Sequence, residues 1–196
     1  MDARILLVVS AALLAGCSSG AVSDPNQSAL PTIRETSAKA VTADCSMKSM
    51  ADFGPAFADP RHLVVGPLLL VGGAEVTSEA VVLAHGGQKY PLLVKAGHTV
   101  IVRLPPESRS FAGLAYGPLP QGRLQVRHAH DEIMFVACDR DEPSGSRAGG
   151  RVTFWSGFVM TSVPACLPLD VYVDGAKKPR RIEIALGAEC ESMPAA

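Results

Sequence analysis

The chain has 196 residues, with 18 Lys and Arg against 19 Asp and Glu and a formal net charge of −1. That balance excludes a global basic field for nucleic acid and an acidic tail, and the length suits one domain once terminal segments are set aside. Hydrophobic residues make up 47% of the chain, ample for a packed core, whereas aromatic residues supply only 5%.

The first element is a short start followed by an apolar run over 5–14. It is far shorter than the roughly 20 residues of a membrane-spanning helix, so it reads as the h-region of a secretory signal. Asp2 offsets Arg4, leaving the terminal amine to supply the positive charge of the n-region. The run closes on Leu14-Ala15-Gly16-Cys17, with Leu three residues before Cys and two small residues between them. This spacing resembles the lipobox of bacterial lipoproteins. The resemblance implies a signal peptide over 1–16 and a mature chain beginning at Cys17. It also implies a diacylglyceryl group on the Cys17 thiol, an amine freed by cleavage, and a place on the outer side of the cytoplasmic membrane. Ser18 stands where many inner-membrane lipoproteins carry aspartate. The competing reading is simple secretion, with Cys17 an incidental thiol.

Residues 18–44 are rich in Ser, Ala and Thr, contain Pro25 and Pro31, and carry few large apolar side chains. With Cys17 they read as a lipidated N-terminus and flexible tether, spanning roughly 30 Å at about 5–6 Å times the square root of the residue number. A short helix over 33–41 is the alternative. A single domain is expected over 45–196.

From Cys45 onward, short β-rich runs alternate with Gly, Pro and Asp clusters. Candidate strands cover 62–71, 80–84, 89–94, 98–104, 122–127, 132–138, 151–159, 167–173 and 181–186. Val100, Val102 and Leu104 share one face opposite Thr99 and Arg103; Leu124 and Val126 oppose Arg123, Gln125 and Arg127; Ile182, Ile184 and Leu186 oppose Arg181 and Glu183. Period-two alternation of this kind buries one face and wets the other. The runs 133–137 and 152–159 are apolar on both sides, as central or loop-covered strands would be. Turn chemistry is supplied by Ala96-Gly97, Asp174-Gly175 and the segment His128-Ala129-His130-Asp131. The pattern predicts an all-β antiparallel sandwich, with Ig-like topology favoured and a small jelly roll or barrel as the alternative.

Setting Cys17 aside leaves Cys45, Cys138, Cys166 and Cys190, an even number that predicts two disulfides in an exported chain. No Cys-x-x-Cys pair occurs, and no two cysteines lie at zinc-ligand spacing. If the last four strands form a meander, Cys166 and Cys190 fall at the same end, which favours Cys166–Cys190 and leaves Cys45–Cys138. A parity difficulty accompanies that choice. Leu167, Leu169, Val171 and Val173 face inward and turn Cys166 outward, while Cys190 shares the inward parity of Ile182. Pro168 or Gly187 must break the register, or both cysteines must lie beyond the ladder.

Candidate chemistry is sparse. His128 and His130, beside Asp131 and Glu132, share a face if that segment is extended, as metal ligands can; the polar-turn reading is preferred because no third ligand accompanies them. His62, His85 and His98 are scattered. The stretch Asp139-Arg140-Asp141-Glu142 opens a loop, but the sixth and twelfth positions of an EF-hand would fall on Ser144 and Gly150 rather than Gly and Glu, so a solvated loop is expected. Neither Ser144-Gly145-Ser146 nor Trp155-Ser156-Gly157 completes a nucleophile motif, and phosphate-binding glycine fingerprints are lacking. Lys177-Lys178-Pro179-Arg180-Arg181 reads as a solvated hairpin tip, with contact to anionic headgroups or envelope polyanions as the alternative. Trp155 is expected in the core rather than as a sugar platform.

The segments Phe111-Ala112-Gly113-Leu114-Ala115-Tyr116-Gly117-Pro118-Leu119-Pro120 and Phe154-Trp155-Ser156-Gly157 resemble parts of uncharacterised actinobacterial lipoproteins. That resemblance implies a secreted domain and assigns no activity. The reading is therefore a lipid-anchored extracytoplasmic protein at the cell membrane, a non-catalytic binding or interaction module of the envelope. No catalytic residue, cofactor or metal is expected. The partners are the membrane, through the lipid, and an envelope protein or polymer, not nucleic acid. An envelope hydrolase of unrecognised type and a passive accessory subunit of a membrane complex are the alternatives.

Overall fold

Alternation along the sequence decides the largest sheet. A computed structural model describes residues 41–117, 124–142, 145, 146, 148 and 150–191; the lipobox and most of the expected tether lie outside them. The five-stranded sheet combines β1 (Val41–Ala43), β6 (Thr99–Arg103), β8 (Glu132–Val136), β11 (Ala165–Val173) and β12 (Arg180–Leu186) in the order β1-β8-β6-β11-β12. Every pair is antiparallel except β1 with β8. One face buries Val100, Val102, Ile133, Phe135, Leu167, Leu169, Val171 and Ile184 in the main core. Met134 and Val136, expected to be covered, are half-buried on the other face.

A four-stranded sheet of β2 (Leu63–Val65), β3 (Leu68–Leu70), β5 (Leu92–Lys95) and β9 (Val152–Trp155) runs β2-β3-β5-β9. Leu68, Leu70, Leu92, Val94 and Trp155 join the main core, so Trp155 is a core residue as its sequence context predicts. Leu69, Leu93, Val152 and Phe154 form a second cluster with Ala56, Phe53 and Phe57, from the segment around a single 3-10 turn (Ala56–Ala58). That loop cover explains why these strands are apolar on both faces.

The third sheet, β4 (Gly87–Lys89), β7 (Ala112–Tyr116) and β10 (Gly157–Thr161), runs β4-β10-β7. Its cohesion depends on a glycine. Gly157 pairs with Tyr116, and a Cβ there would meet the Tyr116 ring at 2.1 Å. The ring cannot swing aside, because its hydroxyl donates to the Tyr90 carbonyl at 2.8 Å and its edge meets Phe135 at 5.2 Å between centroids. Burial pushes the Tyr116 phenol well above its usual pKa.

The all-β antiparallel sandwich read from the sequence is the fold observed. Its strands group into three hydrogen-bonded sheets, where an Ig-like sandwich has two, and no barrel closes among the described residues. Several boundaries need correction. Residues 80–84 lie in a helix, α1 (Glu79–His85), instead of a strand. The Ser78 side chain caps its start by accepting the Val81 N–H, and Gly86 at φ 71° closes its end. Residues 124–128 are not a strand either; they end in a 3-10 turn, Val126–His128, and Leu124 and Val126 cover the outer side of the third sheet against Ala115, Ala129 and Met160. The run 62–71 is a hairpin bent at Gly66, where φ is 58°. The runs 89–94 and 151–159 each divide between two sheets, at Tyr90-Pro91 and Ser156. Strand β7, rich in Ala and Gly, carries too little β-propensity to be recognised from sequence, and β1, which begins four residues ahead of Cys45, puts part of the expected tether into the sheet. Among the described residues no helix is long and apolar enough to cross a membrane.

Candidate functional site

The cysteines of the body are paired: Cys45 with Cys138 and Cys166 with Cys190. The parity difficulty is resolved at Gly187. Cys166 lies within β11 opposite Ala185, and Gly187, at φ 79°, turns the chain after β12 so that Cys190 returns to it from beyond the ladder. Glu183 places a carboxylate oxygen within 4.8 Å of both sulfurs. With the two sulfurs bonded to each other, that trio lacks the thiolates a metal would need. Cys17 lies outside the described residues.

The histidine pair does not form the extended face considered above. His128 ends the 3-10 turn, whereas His130 bridges Leu114 of β7 through reciprocal backbone bonds of 2.8 Å, so the segment is not a simple polar turn. His128 Nδ1 is buried without a hydrogen-bond partner among the described residues. Elsewhere, His62 Nδ1 accepts from the Gly72 N–H at 3.1 Å, and His85 ends α1. His98 Nδ1 meets Asp174 at 2.8 Å, and this pair ties two exposed turns together, with side-chain exposures of 39% and 48%. In the 139–142 loop, Glu142 N–H closes a turn on the Asp139 carbonyl, and Arg151 donates to the Glu142 carbonyl at 3.3 Å. Ser146 is buried, and Ser144 is outside the described residues.

Beneath the segment that covers the third sheet lies a recess of about 390 Å³, lined by Gly86, Leu124, Gln125, Val126, Arg127, Thr161 and Ser162. Three elements build it: the glycine that ends α1, the end of β10 and the 3-10 turn. Its hydroxyls are committed to backbone, Thr161 to the Val163 carbonyl at 2.6 Å and Ser162 to the Phe111 carbonyl at 3.3 Å. Leu124 and Val126 supply apolar wall, and Arg127 pairs with Gln125 at the exposed rim. Such a recess can hold an apolar group beside a cation. Among the described residues that line it, no pair of groups is poised for proton transfer.

The outer face of the five-stranded sheet carries a feature that sequence reading missed. Register places Glu132, Arg103, Asp170 and Arg181 side by side on β8, β6, β11 and β12, a row of alternating charge across four strands. Arg103 bonds Glu132, lies 4.9 Å from the Tyr172 ring centroid and reaches the Tyr172 hydroxyl at 3.3 Å. Glu132 therefore holds the Arg103 guanidinium pKa above its ordinary value. Arg181 adds Glu107 at 3.7 Å to its contact with Asp170. Arg103 and Arg181 were visible as outward members of alternating strands, but which strands neighbour one another was not. Of the basic run, Arg181 belongs to this row, while Lys177, Lys178 and Arg180 are exposed at the β11–β12 hairpin tip and form no ion pair among the described residues.

Comparison with family models, curated proteins and solved structures finds no match.

Proposed function

We propose that this protein is a lipid-anchored extracytoplasmic binding module, held at the cell membrane through Cys17. One observation carries the reading. Of five cysteines in the chain, four are consumed in Cys45–Cys138 and Cys166–Cys190, and the fifth is the Cys of Leu14-Ala15-Gly16-Cys17. Two disulfides fit an oxidising compartment. A leftover thiol after two small residues and a leucine fits lipid attachment. Two signals are ordinarily needed for stable anchoring by single chains, and a diacylglyceryl group carries two acyl chains at once.

Binding is favoured over hydrolysis by the recess, whose hydroxyls already serve the backbone and whose walls are apolar. Replacing Cys17 with Ser tests the anchor. Cleavage after Gly16 should stop, and the mass of the product should lack the lipid. A Cys17→Ser protein with unchanged mass that still partitions wholly into detergent overturns the proposal. Capture of envelope partners from the native membrane then tests the binding role, with Leu124→Asp as the variant expected to lose them. Partners retained at full strength by that variant remove the recess from the account.

A further inference from the structure

Strand β12 ends the five-stranded sheet, and among the described residues its outer edge is closed at one end alone. Thr77 donates its N–H to the Ala185 carbonyl at 2.9 Å and accepts the Gly187 N–H at 2.9 Å. The buried Tyr90 hydroxyl meets the Thr77 side chain at 3.0 Å and fixes it there. These bonds set the parity of the strand: odd-numbered residues of β12 aim their N–H and C=O away from β11. The outward backbone groups of Arg181 and Glu183 therefore have no strand beside them among the described residues. Pro179, which lacks an N–H, bounds the open stretch on the other side, so it covers 180–184 and is centred on Ile182.

We propose that β12 is a self-complementary docking edge, pairing antiparallel with β12 of a second copy of this chain about a twofold axis through Ile182. In that register the ends of the open stretch coincide, with residue 180 facing residue 184 of the second copy. Arg181 lies opposite Glu183 of the second copy, and Glu183 opposite its Arg181. These are the positions whose outward backbone groups can bond, and their side chains stand together on the solvent face. Ile182, half-buried against the core, meets its own counterpart on the inner face.

The neighbouring registers are disfavoured by charge. A shift in one direction sets Arg181 against Arg181, and a shift in the other sets Glu183 against Glu183. Charged side chains on an edge strand ordinarily block pairing; here the two opposite charges two residues apart block every register but one. Like charges directly opposite one another destabilise a strand pair, and opposite charges stabilise it. An isologous contact of this kind closes as a dimer and cannot propagate.

The test uses the full chain in detergent. At the twofold, Ile182 is a pair without cross-strand hydrogen bonds, where Cα atoms lie about 4.5 Å apart and a disulfide fits. Ile182→Cys should give a disulfide-linked dimer on a non-reducing gel. Arg180→Cys should not, because its counterpart is about 13 Å away at four residues along the strand. Glu183→Arg, at a side chain with no ion pair of its own among the described residues, places Arg against Arg twice. It should weaken dimerisation at least about tenfold in sedimentation while both native disulfides remain formed. The proposal is overturned by a wild-type chain that sediments as a monomer at tens of micromolar, by equal cross-linking through positions 180 and 182, or by Glu183→Arg leaving dimerisation unchanged.

Discussion

Asp170 and Arg181 face each other across β11 and β12, and the guanidinium donates to both carboxylate oxygens, Nε at 2.9 Å and Nη2 at 3.1 Å. Asp170 is 7% exposed, with Arg103 opposite it on the other neighbouring strand. A nearly buried carboxylate flanked by two guanidinium groups lets this row cross the sheet without leaving one of its four charges unpaired.

Asp170→Ala is therefore expected to cost about 1.5–3 kcal/mol, the range for hydrogen bonds to charged groups. A lowered urea midpoint at an unchanged slope checks this. Asp170→Asn should recover part of the loss, since its amide oxygen still accepts one N–H. A midpoint unmoved by either change would show that the row contributes nothing.

Asp174 gives the fold an acid-sensitive tie. The Thr99 N–H, first, and the His98 ring, second, hold its carboxyl below the ordinary 3.8. A carboxyl whose folded pKa is depressed contributes stability that is complete above its unfolded value. The contribution is lost as pH falls through the folded value. Asp174→Asn keeps a residue tolerant of the positive φ of 49° found here. Melting temperatures measured from about pH 6 to about pH 2 should show the variant below the wild type at the upper end of that range and the two converging in acid. A gap that stays constant with pH would count against the carboxylate.

The two disulfides should differ in weight. Cys45–Cys138 closes a separation of 93 residues and Cys166–Cys190 one of 24. Loop-closure entropy then predicts about 4.6 kcal/mol for the first and about 3.4 kcal/mol for the second. Paired Cys-to-Ser variants should rank in that order by melting temperature, and the unreduced, unfolded protein should take up no thiol label at any of the four positions. The reverse order would locate the dominant effect in native packing around Cys166 and Cys190.

Stability should be independent of divalent metal. A metal held only by the native state at a hundred times its dissociation constant would add about 2.7 kcal/mol, several degrees in melting temperature. With His128 on a 3-10 turn and His130 in a bridge to β7, melting with and without a chelator should coincide. A drop that His128→Ala and His130→Ala together abolish would establish a metal site.

By itself the sequence determined the all-β class, the inward faces of β6, β11 and β12 and the even set of body cysteines, because period-two alternation and cysteine parity are local properties of the chain. Helix α1 was legible in principle, through Ser78 and Glu79 at its start and Gly86 at its end, but Val81, Val82 and Leu83 have the composition of a strand and outweighed the caps. Tertiary structure alone decided which strands are neighbours. Alternation says that Arg103 and Arg181 point outward; only the order β8-β6-β11-β12 lines them up with Glu132 and Asp170 in one row. The same holds for the recess, whose walls come from residues 86, 124–127, 161 and 162, and for the open edge of β12. Long-range pairing is chosen by burial over the whole core, and no local pattern encodes it.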